Sequence, residues 1–296
     1  MLNWKKMSET QPELGDVVII SNEADKKDRT KWRIGQFLQS DDKSFYGIVV
    51  DFDDEGKDIA IKSNKVDYWC NLFEGGFKLP SDYKKEDLTI YYQAFRKLIL
   101  SYEHRFLLMA EVSKMAKRKV YPLDMYLDGI YIRSLSLMNA SITLLDSKNY
   151  MAAASIVRLH LDNFLRLYAS YLVKNPHDFS MEVMGGKPIK KIKDHDEKFM
   201  NDGYLAKKAS EKYPWIQQVY DKGCGFVHFS STHIFSNLKI IDKDERTIET
   251  YIGKEDWDNV TDRSRIEVLA VMIEISDCIL QLAYGWARKK MQEDDF

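Results

Sequence analysis

The chain has 296 residues, a formal net charge of -2, 45% hydrophobic and 30% charged residues, a composition that provides for a sizeable core and a solvated surface and excludes a disordered or low-complexity protein. Its length points to two domains. The near-neutral balance gives no global attraction to nucleic acid or to an anionic membrane, so either role would have to rest on local placement of charge.

Residues 1–80 read as a small antiparallel β domain. DVVIIS (16–21), KWRIGQFL (31–38), FYGIVVDF (45–52), DIAIK (58–62) and KVDYWCNLF (65–73) are rich in β-branched and aromatic residues and are separated by turn-forming stretches such as SDDK and DDEG. In the last of them Val66, Tyr68, Cys70 and Leu72 alternate with Asp67, Trp69, Asn71 and Phe73, which makes both faces partly apolar. GGFKLPSDYKKED (75–87) is the domain boundary, with two glycines, a proline and a Ser-Asp ahead of a helical pattern.

From there, residues 84–296 read as an α-helical bundle. Helices are expected over 84–117, 123–146 and 149–174, with Pro122 and Asp124 marking the second start. Asn175-Pro176 stops the third, because the residue before proline avoids the α region. MGGKPIKKIKDHDEKFMNDG reads as loop with one short helix. YLAKKASEKY and PWIQQVYDK read as two further helices, the second opened by Pro214. FSNLKII (235–241) and RTIETYIG (246–253), flanking DKDE, form an inserted hairpin. A helix over 261–291, apolar at Ile266, Leu269, Ala270, Ile273, Leu280 and Ala283, closes the bundle. The fold class is therefore α+β.

Three cysteines, Cys70, Cys224 and Cys278, make no disulfide framework. The start MLNWKKMSET lacks the apolar run of a signal peptide, so a cytoplasmic location is expected. Even the apolar 266–287 segment carries Glu267, Glu274 and Asp277, which excludes a membrane span.

The third helix, NYMAAASIVRLHLDNFLRLYASYLV, is apolar nearly all round, so its charges have to be paired. Arg158, Asp162 and Arg166 lie four apart on one face, where the carboxylate can bridge both guanidinium groups. That stripe is either a structural ion-pair line or one wall of a polar cavity facing Arg133 of the preceding helix. His160 falls on a different face and reads as a satisfied or partly exposed histidine.

In VYDKGCGFVHFSSTHIF (219–235), Cys224, His228 and His233 offer three metal ligands where structural zinc needs four. DHD (194–196) is the nearest further source, and no metal or cofactor is expected. Gly223 and Gly225 end a helix here, with Phe226, Val227 and Phe229 packing inward. His228 then stands on a tight turn with Ser230, Ser231 and Thr232 to fix its tautomer, as a general acid or base if an arginine is near and as a hydrogen-bonded strut if not. P-loop, dinucleotide, nucleophile-elbow and HExxH signatures are absent. The basic clusters KMAKRK (114–119), KPIKKIK (187–193) and ARKK (287–290) read as solvated helix ends and loop.

Residues 126–174 and 219–233, with Arg133, AAASIVRLHLDNFLRLYASYL and VYDKGCGFVHFSSTH, resemble bacterial and phage-associated helical proteins similar to the HEPN (higher eukaryote and prokaryote nucleotide-binding) superfamily. The resemblance implies a helical, homodimeric protein in which Arg133, Arg158, Asp162 and His228 match the polar positions, with RNA or a nucleotide as ligand. Many such proteins are toxin or anti-phage ribonucleases. The ribonuclease signature, an arginine followed four to six residues later by a histidine on one helix, is missing from this chain. WKKMSETQPELGDVVII (4–20) and VDYWCNLFEGGFKLP (66–80) resemble a small β-rich domain of phage and prophage proteins, which implies a protein partner for the N-terminal domain. The resulting expectation is a phage- or defence-related binding protein without enzymatic activity, with a metal-independent ribonuclease as the alternative.

Overall fold

A computed structural model describes residues 5–10, 17–22, 33–39, 47–52, 58–62, 66–71, 85–115, 119–228, 230–235, 238–242, 247–257 and 260–292. The expected boundary at 75–84, the SDDK and DDEG turns and the inward packing of Phe229 lie outside these residues. The chain divides into two compact units. One comprises Met1–Tyr102 with Asp262–Ala270, the other Glu103–Thr261 with Val271–Phe296.

In the first unit, strands β1 (Lys5–Lys6), β2 (Val17–Ser21), β3 (Arg33–Gln39), β4 (Gly47–Phe52), β5 (Asp58–Lys62) and β6 (Tyr68–Asn71) form one sheet in the order β1-β6-β2-β3-β4-β5. Every pairing is antiparallel. The chain meanders from β2 to β5 and then returns, so that β6 lies between β1 and β2. Trp69 is thereby set opposite both Lys5 and Ile20, and an inner position with two neighbours suits its partly apolar faces. Ile20, Val66, Phe95, Leu98 and Tyr102 are among the buried residues of this unit.

The second unit is mainly helical. Helix α1 (Lys85–Met115) enters it from the first, followed by α2 (Pro122–Asp146), α3 (Tyr150–Leu172), α4 (Pro176–Met184), α5 (Asp202–Ser210), α6 (Trp215–Val227), α7 (Ser231–Phe235) and α8 (Asp262–Gln292). Strands β7 (Leu238–Asp242) and β8 (Thr247–Thr250) pair antiparallel between α7 and α8, with a bulge between Ile240 and Asp242. Leu127, Met138, Leu161, Phe164, Ile216 and Ile279 are fully or almost fully buried. No helix among the described residues is long and apolar enough to cross a membrane.

Three local expectations are corrected. Asn175-Pro176 ends α3 but also starts α4. Proline at the first helical position gives up an amide that would have no partner anyway, and the Asn175 side chain caps the amides of His177 and Asp178 at 2.9 and 3.3 Å. Gly223 and Gly225 do not terminate α6, which runs through both to Val227. Residues 231–235 form the short helix α7, and the hairpin begins at Leu238.

Basic ARKK is not wholly solvated either. Lys290 is completely buried, donating to the Ser113 carbonyl and to Asp124 Oδ2, both at 2.7 Å. The other oxygen of Asp124 accepts from Ser113 Oγ at 2.6 Å and Trp286 Nε1 at 2.8 Å. Oδ2 also takes the Tyr121 amide at 2.8 Å, which closes the first turn of α2. Burial alone would raise the Asp124 pKa, but these donors, Lys290 foremost, outweigh it and hold the carboxyl below its ordinary value.

Candidate functional site

The polar residues of α3 sort by face. Arg158 is 7% exposed, and its length lies against α6. Its guanidinium carbon stands 4.3 Å from the centre of the Tyr220 ring, in cation–π range. A Cβ added at Gly223 would come within 2.9 Å of Arg158 Cβ and 3.1 Å of its Cδ. The glycine is what lets the two helices approach. Replacing Gly223 with Ala adds helix propensity worth about 1 kcal/mol but overpacks the seam, so a net loss of about 1–2 kcal/mol is expected by urea denaturation. A gain would show that Arg158 can move aside.

Arg158 Nη1 hydrogen-bonds Asp162 as the four-residue spacing predicts. The bridging carboxylate, however, is a different one. Arg166 Nη1 pairs with Asp202 Oδ1 at 2.5 Å, and Arg158 Nη2 lies 3.6 Å from Asp202 Oδ2. Asp162 therefore does not bridge the two arginines. The order is Asp162–Arg158–Asp202–Arg166, and Asp202 joins the line because it occupies the first turn of α5, where a carboxylate is favoured by the helix dipole. Burial works against the charge of Arg158, yet Asp162 and then the Cys224 thiol hold its pKa above the ordinary range. Burial likewise opposes the charge of Asp202, and Arg166 more than compensates, so that its pKa falls. Two cations and two anions form a line without net charge across α3 and α5. Within this line, the Arg158 Nε–H is buried without a hydrogen-bond partner among the described residues.

Arg133 does not face this line. It is exposed, and its Nη1 donates to Asn163 Oδ1 and, at 3.2 Å, to the Leu159 carbonyl. Asn163 in turn donates to Ser134 Oγ at 3.0 Å. Arg133 thus ties α2 to α3 on a face other than that of Arg158, as the five- and one-residue offsets of Asn163 and Leu159 from Arg158 require.

His228 is the first residue past α6, exposed, with its amide on the Cys224 carbonyl at 3.0 Å. Tyr220, Cys224 and His228 follow one another at four-residue steps, so the stripe that passes Arg158 continues toward the imidazole. No hydrogen bond or ion pair among the described residues joins that imidazole to Arg133, Arg158 or Asp162. The nearby hydroxyl of Ser230 donates instead to the Gly225 carbonyl at 2.7 Å. His233 Nδ1 accepts the Ser230 amide at 3.3 Å. Val227 is 43% exposed and does not pack inward.

No group of three or more His, Cys, Asp or Glu among the described residues could hold a metal ion. In the DHD stretch, Asp194 accepts from the amides of Asp196 and Lys198 at 2.9 Å and from the Tyr204 hydroxyl. His195 Nδ1 donates to the Leu172 carbonyl at 2.6 Å. Both are occupied in ordering the loop before α5.

His160 is fully buried, which removes the partly exposed alternative. Its Nε2 bonds Ser276 Oγ of α8 at 2.9 Å while Nδ1 has no partner among the described residues. Burial in this apolar setting lowers its pKa from 6.5 to about 3, so the ring is neutral. A scan of the chain against protein-family models finds no match, and searches of curated proteins and of solved structures find no similar one.

Proposed function

We propose that the chain is a phage- or defence-related binding protein whose helical unit is HEPN-like and homodimeric, with RNA or a nucleotide as ligand of that unit and a protein partner for the N-terminal sheet. It is not a ribonuclease on this reading. The observation that carries the choice is the state of Arg158. Its charge is taken up by Asp162 and Asp202, and the face of the guanidinium is covered by Tyr220. A phosphate would have to displace a carboxylate from a mostly buried pair, which is costly. Arg133, exposed at the α2–α3 face, is the cation better placed to meet a ligand.

The alternative remains specific enough to test. In a metal-independent ribonuclease Arg158 and Arg133 would hold a phosphate, His228 would move the proton and Asp162 would orient Arg158. The stripe of Tyr220, Cys224 and His228 favours it. Wild type, Arg158→Ala and His228→Ala are incubated with total RNA, and growth is followed on expression. The binding reading expects intact RNA and unchanged growth in all three. Cleavage by the wild type that disappears in His228→Ala would replace it with the ribonuclease.

A further inference from the structure

The stripe of α6 that meets Arg158 carries a thiol to which neither reading of the helical unit gives a role. Cys224 is free and partly exposed, whereas Cys278 is 1% exposed. Cys224 stands one turn beyond Tyr220, whose ring covers a face of the Arg158 guanidinium. It directly follows Gly223, against which the aliphatic part of Arg158 lies. The sulfur is thereby held beside a guanidinium that is mostly closed to solvent. His228, one turn further on, is exposed, so the end of α6 that bears the thiol reaches water.

That guanidinium has a donor to spare. Nη1 is taken by Asp162, and Nη2 faces Asp202 at 3.6 Å. Nε–H is buried with no acceptor among the described residues, a state that native structures seldom keep without a use. Its direction follows from the atoms before it. Arg158 Cβ, Cδ and Cγ lie 2.9, 3.1 and 3.4 Å from a Cβ placed on Gly223, and Nε is the next atom along, so it emerges against α6 beside residue 224. A thiol there is only a weak acceptor. An oxygen carried on the same sulfur would be a strong one, and stronger still as an anion.

We propose that Cys224 is an oxidative modification site, with hydrogen peroxide as its co-reactant and the oxidised sulfur as the acceptor that Arg158 Nε–H lacks. The sulfur attacks one peroxide oxygen, so that an S–O bond forms as the O–O bond breaks. Sulfur gives up two electrons, and the displaced oxygen leaves with the thiol proton as water. A second peroxide takes the sulfenic acid to a sulfinate by the same balance, again releasing water. A cation beside the sulfur favours the anionic form that attacks and then holds the oxyanion of the product. The Asp202 contact of Arg158, at 3.6 Å, is the loosest of the line and the one a sulfinate displaces, while Arg166 keeps Asp202 at 2.5 Å. The site holds whichever ligand the helical unit takes and whether or not RNA is cut.

The full chain is treated with hydrogen peroxide in the presence of dimedone, which traps sulfenic acid, and the cysteine peptides are followed by mass spectrometry in the folded protein and in urea. Cys224 should be labelled about tenfold faster in the folded chain than in urea, where Arg158 no longer stands beside it. Cys278 should be labelled only in urea. Arg158→Met, which keeps the bulk of the side chain without its charge, should abolish the advantage of the folded state, and Arg158→Lys should recover part of it. Without dimedone, Cys224 should proceed to the sulfinate. A folded-state rate at or below the rate in urea would overturn the proposal, because a thiol that is merely part-buried is slowed by folding. So would an Arg158→Met variant, folded by circular dichroism, that keeps the wild-type rate. Should that variant fail to fold, the comparison of folded and unfolded wild type decides alone.

Discussion

Asp124→Asn should destabilise the chain by about 3–5 kcal/mol, because it leaves the Lys290 ammonium buried with no countercharge. Lys290→Met should cost a similar amount by leaving the carboxylate, although its other donors soften the loss. The pair sits almost wholly out of solvent, and its hydrogen bonds connect the end of α1, the start of α2 and the end of α8. The double variant Asp124→Asn/Lys290→Met should be more stable than the sum of the single losses predicts, with a coupling of about 2 kcal/mol. Urea denaturation followed by circular dichroism measures all four corners of the cycle. Additive losses would show that the two side chains do not act as a pair.

The second large effect is a pH profile in which a buried histidine and a half-buried carboxyl oppose each other. His160 has its pKa lowered from 6.5 to about 3 by burial. A depressed histidine contributes stability that is fully present above 6.5 and is lost progressively as pH falls toward 3, since only the unfolded chain takes up the proton. Glu274 of α8 has its pKa raised from 4.5 to about 7, by burial first and by Asp277 second. A raised carboxyl contributes stability that is present below 4.5 and is lost as pH rises toward 7. Each slope is about 1.4 kcal/mol per pH unit over its window. Between 4.5 and 6.5 the slopes have opposite sign and cancel. The wild type should therefore be nearly level in that interval, Glu274→Gln should fall with acid through it, and His160→Gln should rise with acid through it. Parallel profiles for all three proteins would mean that neither group titrates on unfolding.

Much of this architecture was legible from periodicity. The boundaries of α2, α3 and α8 fall within one or two residues of the expected ones, since long helices with one apolar face signal themselves many times over. Strands β2 to β6 and the hairpin are marked by β-branched runs between turn residues, whereas β1, two lysines, carries no such mark. The missed elements are short. Helices α4 and α7 span nine and five residues, too few turns for a pattern. In α4 the Asn-Pro pair carries two instructions, a stop for α3 and a start for α4, and only the stop stands out from the sequence.

The polar contacts divide by reach. Arg158–Asp162 is a four-residue pair and visible in the sequence. Arg166–Asp202 is separated by 36 residues and Asp124–Lys290 by 166, so no local spacing rule can find them. One signal was present for Lys290. It follows Ala283, Trp286 and Ala287 at helical spacing on the buried side of α8, and a lysine in that register is an inward one. The two glycines of α6 misled for a related reason. The value of Gly223 lies in the surface it leaves open to Arg158, and contact between helices is not written in either helix alone.

The separation of Asp124 from Lys290 also sets an order of events during synthesis. The carboxylate leaves the ribosome 166 residues before the ammonium that neutralises it, and Trp286 emerges scarcely sooner. Until α8 arrives, Asp124 has only the Ser113 hydroxyl and the Tyr121 amide and lacks its Trp286 and Lys290 donors, so the nascent helical unit should stay loose and open to chaperones. Maturation of that unit is thus timed by its last helix.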